Sequence, residues 1–415
     1  GVRLNLNRPE EVREAYREII GAYRYQHVVG DSVQKMAAAG VEAIIGVTRD
    51  PNFGPVLMFG LGGIFVEVLK DVTFRILPVT ERDAEEMIGE IKGYPLLRGH
   101  RGRSVDIAAL KKLILGISDL VTAVPEIREL DLNPIFLYPT GNCIADARMF
   151  IGEKAAEISS KPVTDLKGLF YPRSIAVIGA SGAEGKLGYN VLRNLLHHGF
   201  AGRIYPVNAK HPVIQGVPAY RSIADVPDEI DVAIVIVPAE VVPDAIETCC
   251  KKGVRYVVVE TAGFAEMGDA GRSAQARIRE IIETGGCRLL GPNCSGVINT
   301  HHRMVHSIGL MEELGKANIG MVAQAGVYAA GILTGLRQVM DFGIVATIGN
   351  KMDISETDIL EFLGKDKNID VISMYMEDVT SGRKFVDVAR RVTAVKPIIA
   401  LKSGRNADGR RLATP

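Results

Sequence analysis

Residues Ser174–Gly188, Ser-Ile-Ala-Val-Ile-Gly-Ala-Ser-Gly-Ala-Glu-Gly-Lys-Leu-Gly, pass from an apolar run into glycines and then into a helical pattern. That order predicts a buried strand closing at Val177 and Ile178, a phosphate-binding loop, and a helix over Tyr189–His197. Gly179, Gly182 and Gly185 are expected to supply positive φ and close backbone approach. Val191, Leu192, Leu195 and Leu196 recur at helical spacing, so the helix N-terminus can present free N–H groups to a phosphate.

The phosphate is narrowed by what the stretch lacks. A P-loop needs Gly, four residues and then Gly-Lys-Ser/Thr. Here five residues separate Gly179 from Gly185, and Leu187 stands where the magnesium-binding hydroxyl belongs. A dinucleotide fingerprint fits the glycines better, but it asks for an acid at the end of the second strand. The second expected strand, Arg203–Val207, runs instead into Asn208-Ala209-Lys210. A cation there suits a phosphorylated ribose, either that of NADP or the 3′-phospho-ADP portion of coenzyme A; a tight turn or another kind of nucleotide site is the alternative reading of the glycines.

Around this unit, apolar runs alternate with helical periodicity from Leu169 to about Ile298, which predicts a doubly wound parallel sheet. Its strand ends bring Gly179–Gly185, Asn208–Lys210, Val237-Pro238, Thr261–Phe264 and Gly291–Gly296 to one edge. From Ala317 the alternation restarts and reads as a second parallel sheet. There Gln324-Ala325-Gly326 opens a helix directly after a strand, a further anion site. Glu377 ends a neighbouring strand, as a solvated carboxylate or as a group that orients a histidine.

Residues 1–152 mix helices with short strands joined by turns, which indicates an antiparallel sheet. The expected strands include Ser32–Met36, Glu42–Val47, Pro55–Phe59, Ile64–Leu69 and Cys143–Ala147, and the expected helices lie near 81–92 and 105–122, the second capped by Ser104. Asn133 and Asp146 fall on adjacent strands and offer the oxygen ligands Mg²⁺ takes beside substrate phosphates; a turn Asn before Pro134 and a solvated Asp are the alternative. Gly60–Gly63 could close over a triphosphate, and Arg98, Arg101 and Arg103 are either phosphate forks or a solvated loop.

A chain of 415 residues exceeds one core and implies several domains. Its 49 basic and 49 acidic residues balance, so charge gives no case for a nucleic-acid or membrane partner. No apolar run reaches a membrane span and Gly1–Leu6 carries no signal-peptide core, so the expected compartment is the cytoplasm. Cys143, Cys249, Cys250, Cys287 and Cys294 lack metal-ligand spacing and are expected as reduced thiols. A start without Met and an end at Thr414-Pro415 with no closing element lead us to expect a piece of a longer protein.

Taken together, Ser174–Gly188, Tyr205–Lys210, Gly263–Glu266, Gly291–Val297, Gly349–Glu356 and Leu401–Arg405 resemble the NDP-forming acyl-CoA synthetases, the superfamily of succinyl-CoA synthetase. Val33–Met36, Ile44–Pro51, Phe53–Gly63 and Glu129–Pro134 are similar to the later part of that family's ATP-grasp domain. The resemblance implies an α/β multidomain chain: part of an ATP-grasp domain over 1–152, a linker over 153–168, a Rossmann-like CoA-binding domain over 169–300, and a flavodoxin-like ligase-CoA domain over 301–415 that is incomplete at its end.

It implies a ligase in which acid, ATP and CoA give acyl-CoA, ADP and phosphate through an acyl phosphate and a phosphohistidine. ADP is the expected product in preference to GDP. By this resemblance Asn133 and Asp146 hold Mg²⁺, while Gln34, Met36 and Glu42 lie near the adenine and ribose of ATP. Coenzyme A falls to Gly179, Ser181, Gly182, Gly185, Lys186, Asn208, Lys210, Pro238, Gly263 and Asn293. Glu377 would hydrogen-bond the phosphohistidine, and the helix opening at Gly326 would stabilise its phosphate. The phosphohistidine itself is expected beyond Pro415, since none of the eight histidines from His27 to His306 replaces it; a homodimer is expected from the family alone. Ala323-Gln324-Ala325 departs from relatives that carry serine on either side of the Gln, which leaves backbone donors to hold phosphate. The rival reading is a non-catalytic CoA-sensing module of an acyltransferase, which would retain Gly179–Lys210 and lose the histidine.

Overall fold

The computed structural model describes residues 2–22, 32–63, 69–99, 104–153, 165–336 and 339–404, arranged in two compact units, 1–157 and 158–415. Among the described residues no helix is long and apolar enough to cross a membrane.

In the first unit an antiparallel sheet is built from β1 (Val41–Asp50), β2 (Gly54–Leu61), β3 (Val72–Ile76), β4 (Ile127–Leu137), β5 (Asn142–Ile144) and β6 (Ala147–Ile151), in the order β3-β2-β1-β4-β5 with β6 also on β4. One face alternates inward, with Ala43, Ile45 and Val47 of β1 and Leu130 and Leu132 of β4 buried beneath the helices Glu81–Glu90 and Ile107–Ala123. Thr80 closes a capping box with Asp83 at the first helix. The second helix is capped by Asp106, whose carboxylate accepts from Ala109 N–H at 2.9 Å, and not by the expected Ser104.

Two further expectations for this unit change. Ser32–Met36 forms no strand: Val33 and Met36 are 75% and 47% exposed, so the run has no buried face to pair from. Cys143–Ala147 divides at Asp146 into β5 and β6, both of which pair β4. The Ile64–Leu69 strand falls almost wholly outside the described residues, as do Arg101, Arg103 and His27, while β3 was not anticipated.

The second unit holds two sheets on a shared core. The strands β7 (Ser174–Ile178), β8 (Arg203–Val207), β11 (Val232–Val235), β12 (Tyr256–Val259) and β13 (Arg288–Leu290) form an all-parallel sheet in the order β13-β12-β11-β7-β8, with the short hairpin β9 (Val213–Ile214) and β10 (Val217–Pro218) beside it. Every residue of β7, β11 and β12 is buried, as a strand covered by helices on both faces requires.

The other sheet runs β15 (Met304–Ser307), β14 (Gly296–Asn299), β17 (Ile344–Thr347), β16 (Ile319–Ala323), β18 (Val371–Met376), β19 (Ile398–Lys402). It is not purely parallel as expected, because the hairpin β14–β15 joins it antiparallel through β17. Residues 296–307 therefore pack with the second sheet, and they bring the end of the Gly291–Gly296 loop with them. Phe170 stacks on Phe362 with ring centroids 4.3 Å apart, and Asn299 Nδ2 donates to the Phe170 carbonyl, so one core ties the two sheets together. The cysteine expectation also changes: Cys250 and Cys287 are paired as a disulfide, while Cys143, Cys249 and Cys294 are free.

Candidate functional site

Between the strand ends of the second unit lies a cleft of about 1120 Å³. Its lining includes Gly179, Ser181, Lys186, Asn208, Asn293, Gly326 and Glu377, so residues far apart in sequence converge there. Gly182, Gly185, Lys210, Pro238 and Gly263 are not among the lining residues.

The glycine loop begins where β7 ends. Gly179 and Gly185 have positive φ, whereas Gly182 does not, so the expectation holds at two of the three positions. Close backbone approach occurs at Gly179, where a Cβ would lie 2.2 Å from the Ile236 carbonyl oxygen, and again at Gly188, in the first turn of the helix Leu187–His197, where a Cβ would lie 2.0 Å from the Gly179 carbonyl oxygen; Gly182 and Gly185 have open space instead. Only hydrogen allows the helix to start directly against the strand end. Lys186 occupies the N-cap with no side-chain cap, which leaves the first N–H groups of the helix for a ligand. Ser181 Oγ accepts from Ala183 N–H, and Asn208 braces the loop by donating to the Ala180 carbonyl at 2.9 Å. Asn208 Oδ1 accepts from Lys210 N–H at 2.8 Å, leaving the Lys210 side chain in solvent.

On the opposite side, the helix Gly326–Gly335 also starts without a side-chain cap. A Cβ on Gly326 would lie 1.9 Å from Ser295 Oγ, so the glycine is what lets the Gly291–Gly296 loop approach that helix end. Asn293 takes φ +60, which an Asn tolerates, and sits beside Asn350. Asn350 donates to Glu266 at 2.6 Å and Glu266 accepts from Gly263 N–H at 2.6 Å, so this chain of bonds links the two sheets across the cleft. Burial works to raise the Glu266 carboxyl, but bonds from Asn350, Gly263 and Phe264 outweigh it and hold it below the usual range.

Glu377 is half-buried at the end of β18, and Tyr375 Oη is 3.4 Å from its Oε1. Its backbone is fixed from several directions. Gln324 Oε1 accepts from the N–H groups of Glu377 at 2.9 Å and Asp378 at 3.2 Å, and Lys402 Nζ donates to the Glu377 carbonyl at 2.5 Å. Gln324 Nε2 and Lys351 Nζ both reach Asp378 Oδ1, at 2.7 Å and 2.6 Å. Lys351, Glu356 and Asp378 carry no signal in the sequence for a place in this cleft, although Lys351 and Glu356 lie within the Gly349–Glu356 stretch.

Four of the histidines have polar partners: His198 faces the Met311 carbonyl, His301 that of Ala317, His302 that of Pro172, and His306 is buried against Glu260. Burial lowers the His198 imidazole below its ordinary value.

In the first unit Asn133 and Asp146 are both exposed and adjacent, with Asn133 N–H bonded to the Asp146 carbonyl at 3.2 Å. Asp146 lies in the link between β5 and β6, not on a strand as expected. Two side-chain oxygens with open surroundings fit a Mg²⁺ that draws its other ligands from water and phosphate. Asp131 and Glu129 share their exposed face of β4, and Arg148 pairs in register with Asp131. Gln34 and Met36 are exposed upstream of β1, and Glu42 lies on β1 beside Gly62 and Gly63. All three belong to this unit and not to the cleft.

Family models match the chain in three places: an ATP-grasp domain over residues 1–151, a CoA binding domain over 173–300 and a succinyl-CoA ligase like flavodoxin domain over 316–414. An ADP-forming acetate–CoA ligase II of Archaeoglobus fulgidus is 42% identical over 100% of this chain and 61% of its own length. The beta subunit of an ADP-forming acetate–CoA ligase I of Pyrococcus furiosus is 49% identical over 36% of this chain and 67% of its own. Among solved structures, a dinucleotide-forming acetyl-coenzyme A synthetase 1 of Ca. Korarchaeum cryptofilum in complex with phosphate and ADP matches at 37% identity with a TM-score of 0.58, over 60% of this chain and 54% of that one. The chain thus spans about three fifths of the length of the Archaeoglobus relative. The domain models and the relatives agree, and the chain belongs to the family of ADP-forming acetate–CoA ligases.

Proposed function

We propose that this chain carries the nucleotide and CoA sites of an ADP-forming acyl-CoA synthetase, which converts a carboxylic acid, ATP and CoA into acyl-CoA, ADP and phosphate. The observation that carries this reading is the convergence in one cleft of the glycine loop at Gly179–Gly188, the uncapped helix start at Gly326 and the strand-end carboxylate of Glu377. A CoA pyrophosphate placed on the Lys186 helix start would meet backbone N–H groups and a cation, with Lys210 free in solvent for the ribose phosphate. Gln324, Asn293 and Ser295 line the side of the cleft where the acyl group would react.

Asn133 and Asp146 would hold Mg²⁺ against the phosphates of ATP, with Gln34, Met36 and Glu42 near the adenine and ribose. The metal would neutralise the charge that develops as a phosphoryl group leaves. A phosphohistidine, outside this sequence, would link the two half-reactions: an acyl phosphate forms and CoA displaces its phosphate. The free N–H groups of the helix at Gly326 would stabilise that phosphate and Glu377 would hold the imidazole.

Behind Ser295 and Gly326 a small cavity of about 20 Å³ is lined by Ile298, Met311, Ala329, Leu333 and Val345. That volume holds about one water-sized group. A cytoplasmic homodimer completes the reading.

The test is to incubate the full-length protein with γ-labelled ATP and Mg²⁺, look for acid-labile and base-stable label, and chase with CoA and a panel of short acids. Label discharged as phosphate only with CoA and one acid together supports the ligase. CoA binding without label supports the CoA-sensing module instead. The paired Mg²⁺ oxygens of Asn133 and Asp146 favour the first outcome, because a module that only senses CoA has no use for them.

A further inference from the structure

Lys351 stands out on its backbone alone. Its φ is +39, a left-handed conformation that a lysine adopts only when its surroundings enforce it, and such residues gather at functional sites. Its side chain is only 6% exposed although the residue lines the cleft. The ammonium lies 3.2 Å from Glu356 Oε2, 2.6 Å from Asp378 Oδ1 and 3.0 Å from the Asp378 carbonyl. An ammonium has three N–H donors. All three are spent on protein acceptors, which leaves none for a substrate phosphate.

Glu356 supports the arrangement from below. It is fully buried, its Oε2 faces Lys351 and its Oε1 accepts from Thr380 N–H at 3.0 Å. A buried carboxylate and a nearly buried ammonium thus grip both ends of the segment Asp378–Thr380, immediately after Glu377. Burial tends to raise the Asp378 carboxyl, yet the Lys351 and Gln324 bonds hold it below its ordinary value. Among the described residues the Glu377 carboxylate has only the long Tyr375 contact, so it is placed by its backbone and remains open to accept from an incoming imidazole.

We infer that Lys351, with Glu356 as its buried counter-ion, is a positioning residue that sets the Glu377 carboxylate for phosphoryl transfer in the CoA cleft. This rests on the ligase reading above. Lys351 acts through Asp378 and the turn that follows Glu377, and it does not touch CoA or the transferring group. A mispositioned carboxylate slows the transfer without weakening CoA.

The experiment uses the full-length protein, labelled from ATP and then chased with CoA and whichever of acetate, propionate and isobutyrate discharges the unmutated protein. Lys351→Met leaves Glu356 charged and unpaired in the core, so the paired variant Lys351→Met/Glu356→Gln, which keeps volume and the Thr380 bond, is made beside it. The paired variant is expected to label from ATP at the normal rate and to bind CoA normally by calorimetry, while discharge slows about tenfold or more. Glu377→Gln alone should slow discharge as well, and adding the paired change to it should cost nothing further, since both act through one carboxylate. Unchanged discharge, losses that multiply on the Glu377→Gln background, or a parallel fall in CoA affinity would each overturn the inference. Absence of label in the unmutated protein, or of discharge by any acid, would instead count against the ligase reading.

Discussion

His306 Nδ1 lies 3.3 Å from Glu260 Oε1, and both side chains are fully buried where the hairpin β14–β15 meets the end of β12. Among the described residues Glu260 Oε2 and His306 Nε2 have no hydrogen-bond partner. The pair therefore pins the Gly291–Gly296 loop from beneath; a Cβ on Gly296 would come within 2.8 Å of Glu260 Oε1. His306→Leu leaves a buried carboxyl group with neither oxygen bonded, and we expect a loss of about 1–3 kcal/mol in urea unfolding. Glu260→Met combined with His306→Leu removes both polar groups and should recover most of it.

The two oxygens in the first unit predict a separable defect. Asp146→Asn or Asn133→Ala should raise the Mg²⁺ concentration needed for labelling by about 10- to 100-fold. CoA affinity, measured by calorimetry, should not change, because the CoA binding domain belongs to the other unit.

The loop geometry predicts the reverse. Gly188→Ala pushes a methyl group against a backbone oxygen that no side-chain rotation can relieve, since the Cβ would sit 2.0 Å from the Gly179 carbonyl. Overpacking of this kind costs about 1–3 kcal/mol, and the loop shift should weaken CoA binding while ATP labelling persists. Denaturation and calorimetry read the two effects.

Acid stability should depend on Asp231. Burial pushes its carboxyl up, but Arg173 donates to it from both side chain and backbone, and the balance lies below the reference value of 3.8. A lowered folded value means the stabilisation is complete above about pH 4 and is lost as pH falls through the folded value. Asp231→Asn should therefore shallow the acid limb of an unfolding-versus-pH curve and leave the slope near neutrality unchanged.

Much of the architecture was legible in the residues because its signals are local. The strand, loop and helix of Ser174–His197 follow from an apolar run, glycines and 3.6-residue periodicity, all within one stretch. The same holds for the helix start at Gly326 and the strand end at Glu377, where a change of period marks the element boundary. The hairpin Gly296–Ser307 was not legible: its two strands have four residues each, and which sheet receives them depends on the edge that β17 leaves open.

The sequence by itself determined the alternation of elements, the glycine loop after β7 and the residue types that face the cleft, because propensity, periodicity and glycine spacing act over a few residues. Only the tertiary structure decided which distant groups meet. Lys351, Glu356 and Asp378 join because β17 and β18 flank β16 and bring their carboxyl ends together; Glu260 and His306 join because a hairpin folds across to another sheet. Such contacts depend on strand order and on the burial of charge in a packed core, and neither property is carried by any short run of residues.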